Sequence, residues 1–581
     1  MSTMRDLNDD RVHRVIRQYT NRAMWRLAPA VVLVAALLAA VAATRPVSES
    51  SSSASSGPLS APTQEVAAGQ PDSTAASGAP AATGGAATAS GTGPTQSKAA
   101  PGGSPAAAPA PKATTSAQQV VTSSTGCSGD RQVAWSAYSP PCTPTFTGDN
   151  GGTTYAGVTR TTITLTYRKT TSSQASSLQA AAGNAGASDD ALIADTETLI
   201  KYFNTEYQLY GRHAELRVFT GQGDAVAETE GVGQQGAQAD AATVHDMPAF
   251  GDVSSVLGGD TQTYAGALAS QHVLSFGTHL MPQSWYAENA PYAYSWEPTG
   301  DIWATFSGNV ICQRLANLPA NFAGDATLRA KNRVFGVLAG DTPQYQEAAD
   351  RLDAVLGSCG VKDTRRIAYS ENPGLMAQQA PSALAQMRAA DVSTVVCICD
   401  PIAPIFFTQA ADQQAYGPEW YAVGWSDNLA RNASADQWSH SISNVGLFPQ
   451  ASKTEAYRAY KAANPTGEPV SAYYVWIYWN LLTVFNGIQA AGPHLTPQTF
   501  HQGFSSLPPS AKGGDFAPWT YGPSWFTPIH DFQVGWWDPG AKSNFDGGAG
   551  AYRNCNAGTW YRFDRPNDLG PAKTQLSCFT G

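Results

Sequence analysis

The feature that most constrains the fold of this chain is an 80-residue stretch, 47–126, that contains no aromatic residue. Ala, Gly, Ser, Thr and Pro dominate this stretch, and it carries five charged side chains. Such a sequence buries too little apolar surface to offset a backbone entropy cost of about 1–2 kcal/mol per residue. We therefore expect a disordered linker over 45–126, which confines the exported folded part of the 581-residue chain to 127–581.

An apolar run precedes this linker. Residues 27–43 read LAPAVVLVAALLAAVAA, 17 residues without a charge. At 1.5 Å per residue a helix of this length spans about 25 Å, and Trp25 and Arg26 at its start extend it toward the ~30 Å of a membrane core. The sequence therefore predicts a transmembrane helix over 27–44.

The leader before this helix, residues 1–26, carries six Arg and three Asp, so it is expected to stay in the cytoplasm. The helix is interpreted as an uncleaved signal anchor, which gives a single-pass protein in the cell membrane with an extracytoplasmic C-terminal domain. The alternative is a signal peptide cleaved near Ala40-Val41-Ala42 and a secreted protein. Both interpretations place 127–581 outside the cytoplasm.

The charge of the exported part excludes one class of partner. The chain has a formal net charge of −10, whereas the leader contributes +3, Arg45 +1 and the linker −1. Residues 127–581 therefore carry about −13. A domain this acidic lacks the cationic surface that neutralises phosphates, so no nucleic-acid partner is expected.

All eight cysteines lie beyond the linker, and an even number in an exported domain indicates disulfides. Cys127 with Cys142 and Cys555 with Cys578 are the natural local pairs. The pairing of the other four is left open; these are Cys312, Cys359, Cys397 and Cys399. The C-x-C spacing of the last two, without a nearby histidine, argues against a metal site, and no metal or other cofactor is expected.

Short β-branched runs alternate with amphipathic helices through the exported part, which predicts an α/β fold of parallel sheets covered on both faces. The predicted strands are 162–166, 215–219, 247–250, 272–276, 333–338, 366–369, 393–399, 420–424 and 441–446. The predicted helices are 191–210 (stopped by Gly211), 303–318, 343–356 (capped by Thr342), 381–389 and 454–463.

The apolar run 471–491 is long enough to be mistaken for a second membrane span. Asn480, Thr483, Asn486 and Gln489 recur every three residues in it and form a polar stripe. A lipid-facing helix does not align four polar side chains without a partner. We interpret the run as a core helix of the exported domain.

The order of several strings resembles the type I periplasmic binding proteins, specifically the branched-chain amino-acid-binding (Leu/Ile/Val-binding) family of ABC transporters in its actinobacterial form. The resemblance extends over about 155–539. The strings that carry it are 157–164 (GVTRTTIT), 200–204 (IKYFN) with 210–212 (YGR), 340–345 (GDTPQY), 474–478 (YVWIY) and 531–537 (DFQVGWW).

The resemblance implies two α/β lobes joined by crossing hinge segments, with a ligand held in the cleft between them. Lobe one would comprise about 155–300 and 450–510, and lobe two about 301–449. Residues 511–581 would return across the hinge. Closing the lobes would remove the ligand from water, and contacts with both lobes would shift the open–closed equilibrium.

The resemblance also implies candidate ligand-binding residues. Lobe one would hold a ligand carboxylate with the loops Ser254-Ser255 and Gly277-Thr278-His279. Lobe two would supply Tyr345 and an acid near Asp427 for a ligand ammonium. Where family members carry a second tyrosine near 402–403, this chain has Asp400-Pro401, so Asp400 is a further candidate. By loop position, Trp285, Tyr286 and Trp425 are the aromatics expected nearest the cleft.

Each candidate also has a purely structural interpretation. Ser254 and Ser255 suit a turn, Tyr345 suits helix packing, Asp427 suits a helix cap and His279 suits the protein surface. The sequence alone leaves these alternatives open.

Nothing in the sequence indicates an enzyme. The nine histidines form no H-E-x-x-H pair, and neither a G-x-S-x-G nucleophile elbow nor a phosphate-binding G-x4-G-K-[ST] loop is present. We expect a membrane-tethered solute-binding protein that captures a small polar, amino-acid-like solute for an ABC-type permease. The alternatives are a ligand-sensing or partner-binding ectodomain of the same fold and, further off, a secreted hydrolase. The short leader leaves no room for a cytoplasmic signalling domain, which favours transport.

Overall fold

We describe a computed structural model of the chain. It describes residues 120–579 except 124, 128, 170–187, 255–260, 363, 424–429, 447–448 and 575. The expected leader, the transmembrane helix over 27–44 and most of the linker lie outside the described residues. Within the described part, no helix combines the length and the apolarity needed to cross a membrane. Everything below belongs to one compact unit.

The strands, in chain order, are β1 (Val121–Ser123), β2 (Phe146–Gly148), β3 (Thr162–Lys169), β4 (His213–Thr220), β5 (Gly251–Asp252), β6 (Leu274–Phe276), β7 (Ala293–Tyr294), β8 (Phe335–Gly340), β9 (Arg365–Tyr369), β10 (Thr394–Ile398), β11 (Glu419–Val423), β12 (Ser441–Val445), β13 (Asp531–Lys542), β14 (Ala549–Asn554) and β15 (Tyr561–Arg562).

The helices are α1 (Asp189–Glu206), α2 (Ala225–Thr229), α3 (Gln234–Asp246), α4 (Gln262–Ser270), α5 (Gln283–Glu288), α6 (Gly300–Val310), α7 (Ala326–Arg329), α8 (Pro343–Ser358), α9 (Pro373–Ala389), α10 (Ala403–Gln413), α11 (Ala435–Trp438), α12 (Glu455–Ala463), α13 (Tyr474–Ala491) and α14 (Pro497–Ser505). A π-helical turn, Ile311–Leu315, continues α6, and 3-10 turns occupy Ala451–Lys453, Asn556–Gly558 and Pro566–Leu569.

The first of two large sheets, sheet one, contains β4-β3-β5-β6-β7 in that spatial order, with every pair parallel. Its apolar residues join those of α1, α12, α13 and α14 in one buried cluster. A smaller apolar cluster lies between α3 and α4. The prediction of parallel strands covered by helices is confirmed for this part, which we call lobe one.

Sheet two has the order β14-β13-β12-β11-β10-β8-β9, and β15 pairs with β13. The strands β8 to β12 are parallel, whereas β13 runs antiparallel to β12 and β14 antiparallel to β13. Strand β13 begins with the string 531–537 that carries part of the resemblance. The antiparallel hairpin that it forms with β14 was not predicted. We call sheet two and its helices lobe two.

The chain passes between the two lobes three times. It leaves lobe one after β7, because α6 already packs in the apolar cluster of lobe two. It returns after β12, since α12 belongs to the cluster of lobe one. It crosses again between Ile529, which is buried in lobe one, and Phe532, which is buried in lobe two.

Helix α13 is the centre of lobe one, and the interpretation of 471–491 as a core helix is confirmed. Its polar stripe binds the segment that follows the linker: Asn486 Nδ2 donates to the Tyr138 carbonyl at 3.0 Å, and Gln489 Nε2 donates to Gln132 Oε1 at 3.0 Å. Amides in the core are stable only when they are hydrogen-bonded. The stripe therefore anchors the start of the folded domain.

Two predicted helices have different limits in the structure. Helix α1 ends at Glu206 rather than at Tyr210, because Tyr207 adopts an extended conformation, with φ −98° and ψ 147°. Tyr210 and Gly211, with φ values of 56° and 81°, form the turn that follows. Helix α9 begins at Pro373 rather than at Pro381. Asn372 caps it by accepting hydrogen bonds from the N–H groups of Gly374 and Leu375, so Pro381 lies inside the helix.

Other differences are smaller. The predicted strand 247–250 is a turn, and β5 begins one residue later, although the Phe250 N–H already donates to the Thr164 carbonyl at 2.8 Å. Thr342 precedes α8 as predicted but its side chain does not cap the helix, because its hydroxyl donates to Glu371 instead. Helices α2, α3, α4, α10 and α14 were not predicted.

The structure contains four disulfides. Cys127 pairs with Cys142 and Cys555 with Cys578, the local pairs that the spacing favours. The remaining bonds, left open by the sequence, join Cys312 to Cys359 and Cys397 to Cys399.

Candidate functional site

The carboxyl ends of the parallel strands in both sheets lead into buried polar residues. In lobe one Asp252 ends β5, with Ser254 two residues later, and Thr278 follows β6. In lobe two Glu371 follows β9 and Asp400 follows β10. Ligands of open α/β sheets bind at this edge, where loops present backbone and side-chain polar groups. These strand ends therefore form the candidate site.

Lobe one carries a buried ionic cluster at this edge, centred on Arg168. The guanidinium donates two hydrogen bonds of 2.9 Å to Glu228 and one of 3.2 Å to Asp240. It also lies 3.7 Å from the centre of the Tyr264 ring. Although burial opposes it, hydrogen bonding to Glu228 raises the pKa of Arg168, so the arginine is charged at all ordinary pH. The cluster is an internally compensated part of the fold.

The predicted binding residue Ser254 lies beside this cluster and is fully buried. Its hydroxyl oxygen accepts the Arg168 N–H at 2.6 Å, and its own N–H donates to Asp252 Oδ1 at 3.0 Å. Asp252 Oδ2 accepts from the hydroxyls of Thr166 and Tyr264 at 2.7 and 3.2 Å. Burial raises the pKa of Asp252, and these donors oppose the rise. Ser254 thus has a structural partner at the strand end.

The loop Gly277-Thr278-His279 follows β6. Gly277 has φ 106°, a value that favours glycine, and its N–H donates to the Tyr294 carbonyl at 2.9 Å. The Tyr286 hydroxyl supports the loop by donating to the Thr278 carbonyl at 3.0 Å. Thr278 is 1% exposed, and its hydroxyl has no partner among the described residues. A buried hydroxyl left in this state is a candidate solute contact.

His279 pairs through Nδ1 with Glu297, which lies beyond β7. Its side chain is 45% exposed and that of Glu297 is 24% exposed. Although desolvation opposes it, the Glu297 carboxylate raises the pKa of His279, and Asp400 of lobe two contributes to the rise. Because Asp400 acts on it from the opposite lobe, His279 lies at the face between the lobes.

In lobe two, Tyr345 and Glu371 converge on the end of β8. A Cβ placed on Gly340 would lie 2.9 Å from Tyr345 Cδ2 and 3.0 Å from Glu371 Oε1, so a larger residue at 340 would displace one of them. Burial raises the pKa of Tyr345 well above its usual value, with further contributions from Glu371, Asp400 and, across the lobes, Glu297. The predicted Tyr345 is therefore at the candidate site, packed in its wall.

Glu371 is the least compensated buried acid in this region. It is 6% exposed, Oε1 accepts the hydroxyl of Thr342, and Oε2 has no partner among the described residues. Burial and the carboxylate of Asp400, followed by Asp341 and Glu230, raise the pKa of Glu371 to about 8. A carboxyl in such surroundings holds its proton near neutral pH unless a cation approaches.

Asp400, by contrast, has donors on both oxygens. Oδ1 accepts the N–H groups of Ile402 and Ala403 at 2.9 and 3.1 Å, and Oδ2 accepts the Tyr369 hydroxyl at 2.7 Å. Burial raises its pKa, which the same donors oppose. Asp400 shapes the turn into α10 and contributes negative charge to the cleft.

One direct hydrogen bond joins the lobes at this edge. Asn372, next to Glu371, donates from Nδ2 to Glu230 Oε1 at 2.8 Å, and Glu230 follows α2 of lobe one. Ser284 Oγ of α5 also donates to Glu347 Oε1 of α8, at 3.1 Å. The two lobes are therefore in contact across the cleft.

Three of the sequence candidates, Ser255, Asp427 and Trp425, lie outside the described residues. Glu371 and Glu297 were not predicted. Glu371 comes two residues after the predicted strand 366–369, and this position is the signal in the sequence that could have indicated it. Within the described residues, no group of three or more His, Cys, Asp and Glu side chains could hold a metal ion.

No protein-family model matches the chain, and no curated protein sequence matches it. Solved structures similar to it include a fatty acid ABC transporter substrate-binding protein from Thermomonospora curvata, with 11% identity, 72% of this chain and 97% of that chain covered, and a TM-score of 0.49. A leucine-, isoleucine-, valine-, threonine- and alanine-binding protein from Brucella ovis, in a closed conformation, has 14% identity, covers 73% and 100%, and scores 0.49. A branched-chain amino acid ABC transporter protein from Thermus thermophilus with bound valine has 11% identity, covers 71% and 100%, and scores 0.49.

The descriptions of these structures name binding proteins of ABC transporters or amino acids, the kind of protein that the sequence resembles. At TM-scores of 0.49 they establish nothing further about this chain, whose fold rests on the strand order of its own two sheets.

Proposed function

We propose that the exported domain is a solute-binding protein that encloses a small polar solute in the cleft between lobe one and lobe two. The observation that carries this proposal is the convergence of buried polar groups from both lobes at the carboxyl ends of their parallel strands. The buried Thr278 comes from lobe one, where the exposed His279 follows it, and the buried Tyr345 and Glu371 come from lobe two.

The physical basis is a two-state equilibrium between separated and closed lobes. The chain crosses between the lobes three times, and a solute that contacts both lobes binds the closed state more tightly than the open one. The Asn372–Glu230 hydrogen bond then contributes to closure because it forms only when the lobes meet.

We further propose that the predicted helix over 27–44 tethers the domain to the membrane, and that the linker over 45–126 lets it reach an ABC-type permease. An 80-residue flexible coil has an r.m.s. reach of about 50 Å. Cleavage of the helix would instead release the domain as a secreted binding protein.

The test begins with the full-length protein purified in mild detergent without dialysis. Mass spectrometry after acid extraction identifies any co-purified small molecule. A thermal-shift screen of amino acids, amines, amides and organic acids follows. A solute at 100 times its Kd stabilises the protein by about 2.7 kcal/mol through mass action, which is a clear shift in Tm.

A shift by at least one solute, lost when Thr278 is changed to Ala, supports the proposal. No co-purified molecule and no shift by any class of solute contradicts it, and would favour an ectodomain that binds a macromolecular partner. Glu288→Gln serves as the control, because Glu288 is exposed on α5 and should leave the shift unchanged.

A further inference from the structure

The chemical class of the solute, which rests on the proposed function, is indicated by one atom. Glu371 Oε2 is buried and has no hydrogen-bond partner among the described residues. Leaving a buried carboxylate oxygen without a donor is costly, and native structures rarely do so outside functional sites. Thr342 already satisfies the other oxygen, so Glu371 is held in place while Oε2 remains free to bind.

The surroundings of Oε2 have one sign of charge. Asp400 and Asp341 of lobe two and Glu230 of lobe one are the charged groups that act most strongly on Glu371. Glu297 of lobe one acts on neighbouring Tyr345. His279 of lobe one, on which Asp400 acts, is already paired with Glu297. An anionic solute would therefore meet repulsion here, whereas a cation would relieve it.

Glu371 lies between the lobes, because the next residue, Asn372, contacts the opposite lobe. Asn372 contacts Glu230 of lobe one at 2.8 Å, so the two residues after β9 lie at the contact between the lobes. The buried Thr278 hydroxyl, also without a partner among the described residues, comes from the lobe-one side. A solute seated between them would touch one unsatisfied polar group from each lobe.

We propose that the cleft takes a solute bearing a protonated amine, and that Glu371 Oε2 accepts a hydrogen bond from that ammonium group. An ammonium supplies both the positive charge and an N–H donor, and the two together satisfy a lone carboxylate oxygen. A metal ion fits less well, because the described residues offer no cluster of three ligating side chains. A quaternary ammonium carries the charge but has no N–H to donate.

Calorimetric titration of the full-length protein in detergent tests the proposal, at pH 8 with five probes of graded chemistry. These are butylamine and putrescine as simple amines, leucine as an amine with a carboxylate, choline as a quaternary cation, and butyrate as an anion. We expect at least one of the three N–H-bearing probes to bind, and to bind at least about tenfold more tightly than choline and butyrate. Binding of leucine but not of the simple amines would indicate that the ammonium belongs to a zwitterionic solute. Binding of the simple amines but not of leucine would indicate a purely cationic solute.

Two variants separate a binding role from a structural one. Glu371→Gln keeps the shape and the acceptor for Thr342 but removes the charge, and we expect it to weaken the amine by about tenfold or more. Glu288→Gln makes the same change at an exposed site and should leave the affinity unchanged.

Each other outcome counts against the proposal. If butyrate, choline or a neutral solute from the wider screen binds and no N–H-bearing amine does, the cleft binds solutes but the amine inference is wrong. If Glu371→Gln leaves amine affinity unchanged, Glu371 is not the counter-charge. If no solute of any class binds, both the inference and the proposed function fail.

Discussion

At the cleft edge of lobe one, Arg168 pairs with two buried carboxylates and interacts electrostatically with a third, Asp252. At the same edge of lobe two, Glu371 and Asp400 have neither an arginine nor a lysine partner among the described residues. Every carboxylate oxygen of Glu228, Asp240 and Asp252 accepts a hydrogen bond. In lobe two this holds for Asp400 but not for Glu371. The buried carboxylates at the edge of sheet one are therefore fully hydrogen-bonded, whereas one carboxylate oxygen at the edge of sheet two has no partner among the described residues.

The difference indicates that the buried charges of lobe one maintain the fold, whereas the charge of Glu371 in lobe two is available for ligand binding. In lobe one the chain supplies its own cation, so removing charge should harm the fold. In lobe two the charge of Glu371 is a burden on the ligand-free fold, which is tolerated where a ligand can compensate it. The contrast predicts a loss of stability when charge is removed from lobe one, a gain when it is removed from lobe two, and a smaller effect on solute affinity at the hydrogen bond that joins the lobes.

The largest effect is expected from Arg168→Met. Loss of the guanidinium leaves Glu228 and Asp240 buried without their cation, which costs about 3–5 kcal/mol of unfolding free energy. Urea denaturation followed by tryptophan fluorescence measures this. The matched control is Arg217→Met on β4, whose exposed pair with Glu215 is worth about 0–1 kcal/mol. Equal effects of the two substitutions would show that the fold of lobe one does not depend on its buried cation, which contradicts the account.

The opposite sign is expected in lobe two for Glu371→Gln in the ligand-free protein. The pKa of Glu371 is raised to about 8 in the folded state, above its value of about 4.5 in the unfolded chain, so folding favours the protonated acid. Wild-type stability should therefore fall as pH rises from about 4.5 to 8. The variant escapes this loss and should be more stable at pH 8.5, on the order of 3 kcal/mol, with little difference near pH 4.5. A destabilised variant at pH 8.5 would contradict the account.

A smaller effect is expected where the two regions meet, for Asn372→Asp. Aspartate still caps α9 but places a negative charge against Glu230, so the closed state is penalised and solute affinity should fall about 5- to 20-fold. Ligand-free stability should hardly change. Adding Glu230→Gln to this variant removes the repulsion and should restore most of the affinity. A double variant as weak as the single one would show that the bond plays no part in closure.

Much of the fold could be predicted from the sequence. The alternation of strands and helices indicated parallel sheets, and the polar stripe of 471–491 indicated a core helix. Helices α2, α3 and α4 escaped because their Ala-, Gln- and Gly-rich sequences have little apolar periodicity. The β13–β14 hairpin escaped because β-strand pattern alone does not reveal the direction of pairing.

The candidate site was less accessible to sequence reasoning. Resemblance and strand ends led to Thr278, His279 and Tyr345, all of which lie at the cleft edge, but Ser254 and Asp400 prove to be engaged in turns. Glu371 was missed because its significance depends on which groups surround it in space. Arg168, some 200 residues before Glu371 in the chain, pairs with buried acids of lobe one but not with those of lobe two. No local sequence pattern shows which acids an arginine so distant in sequence will pair with.

The most direct test of the central claim is the pH dependence of amine affinity. Pairing with an ammonium requires ionised Glu371, so below pH 8 binding must release its proton. The other titratable groups facing it are Asp341, Asp400, Glu230, Glu297, His279 and Tyr345. Of these, His279 also has a raised pKa, and loss of its positive charge as pH rises would also favour a cation. Glu371→Gln retains His279, so the comparison of the two proteins isolates the glutamate.

We predict that the affinity of the wild-type protein for the best amine found rises up to about tenfold per pH unit between pH 6 and 8, with release of close to one proton at pH 7. Titrations in two buffers of different ionisation enthalpy count that proton. In Glu371→Gln the pH dependence should be much weaker. Wild-type affinity that is the same at pH 6 and pH 8, or a variant with the full wild-type pH dependence, would contradict the assignment of Glu371 as the solute's counter-charge.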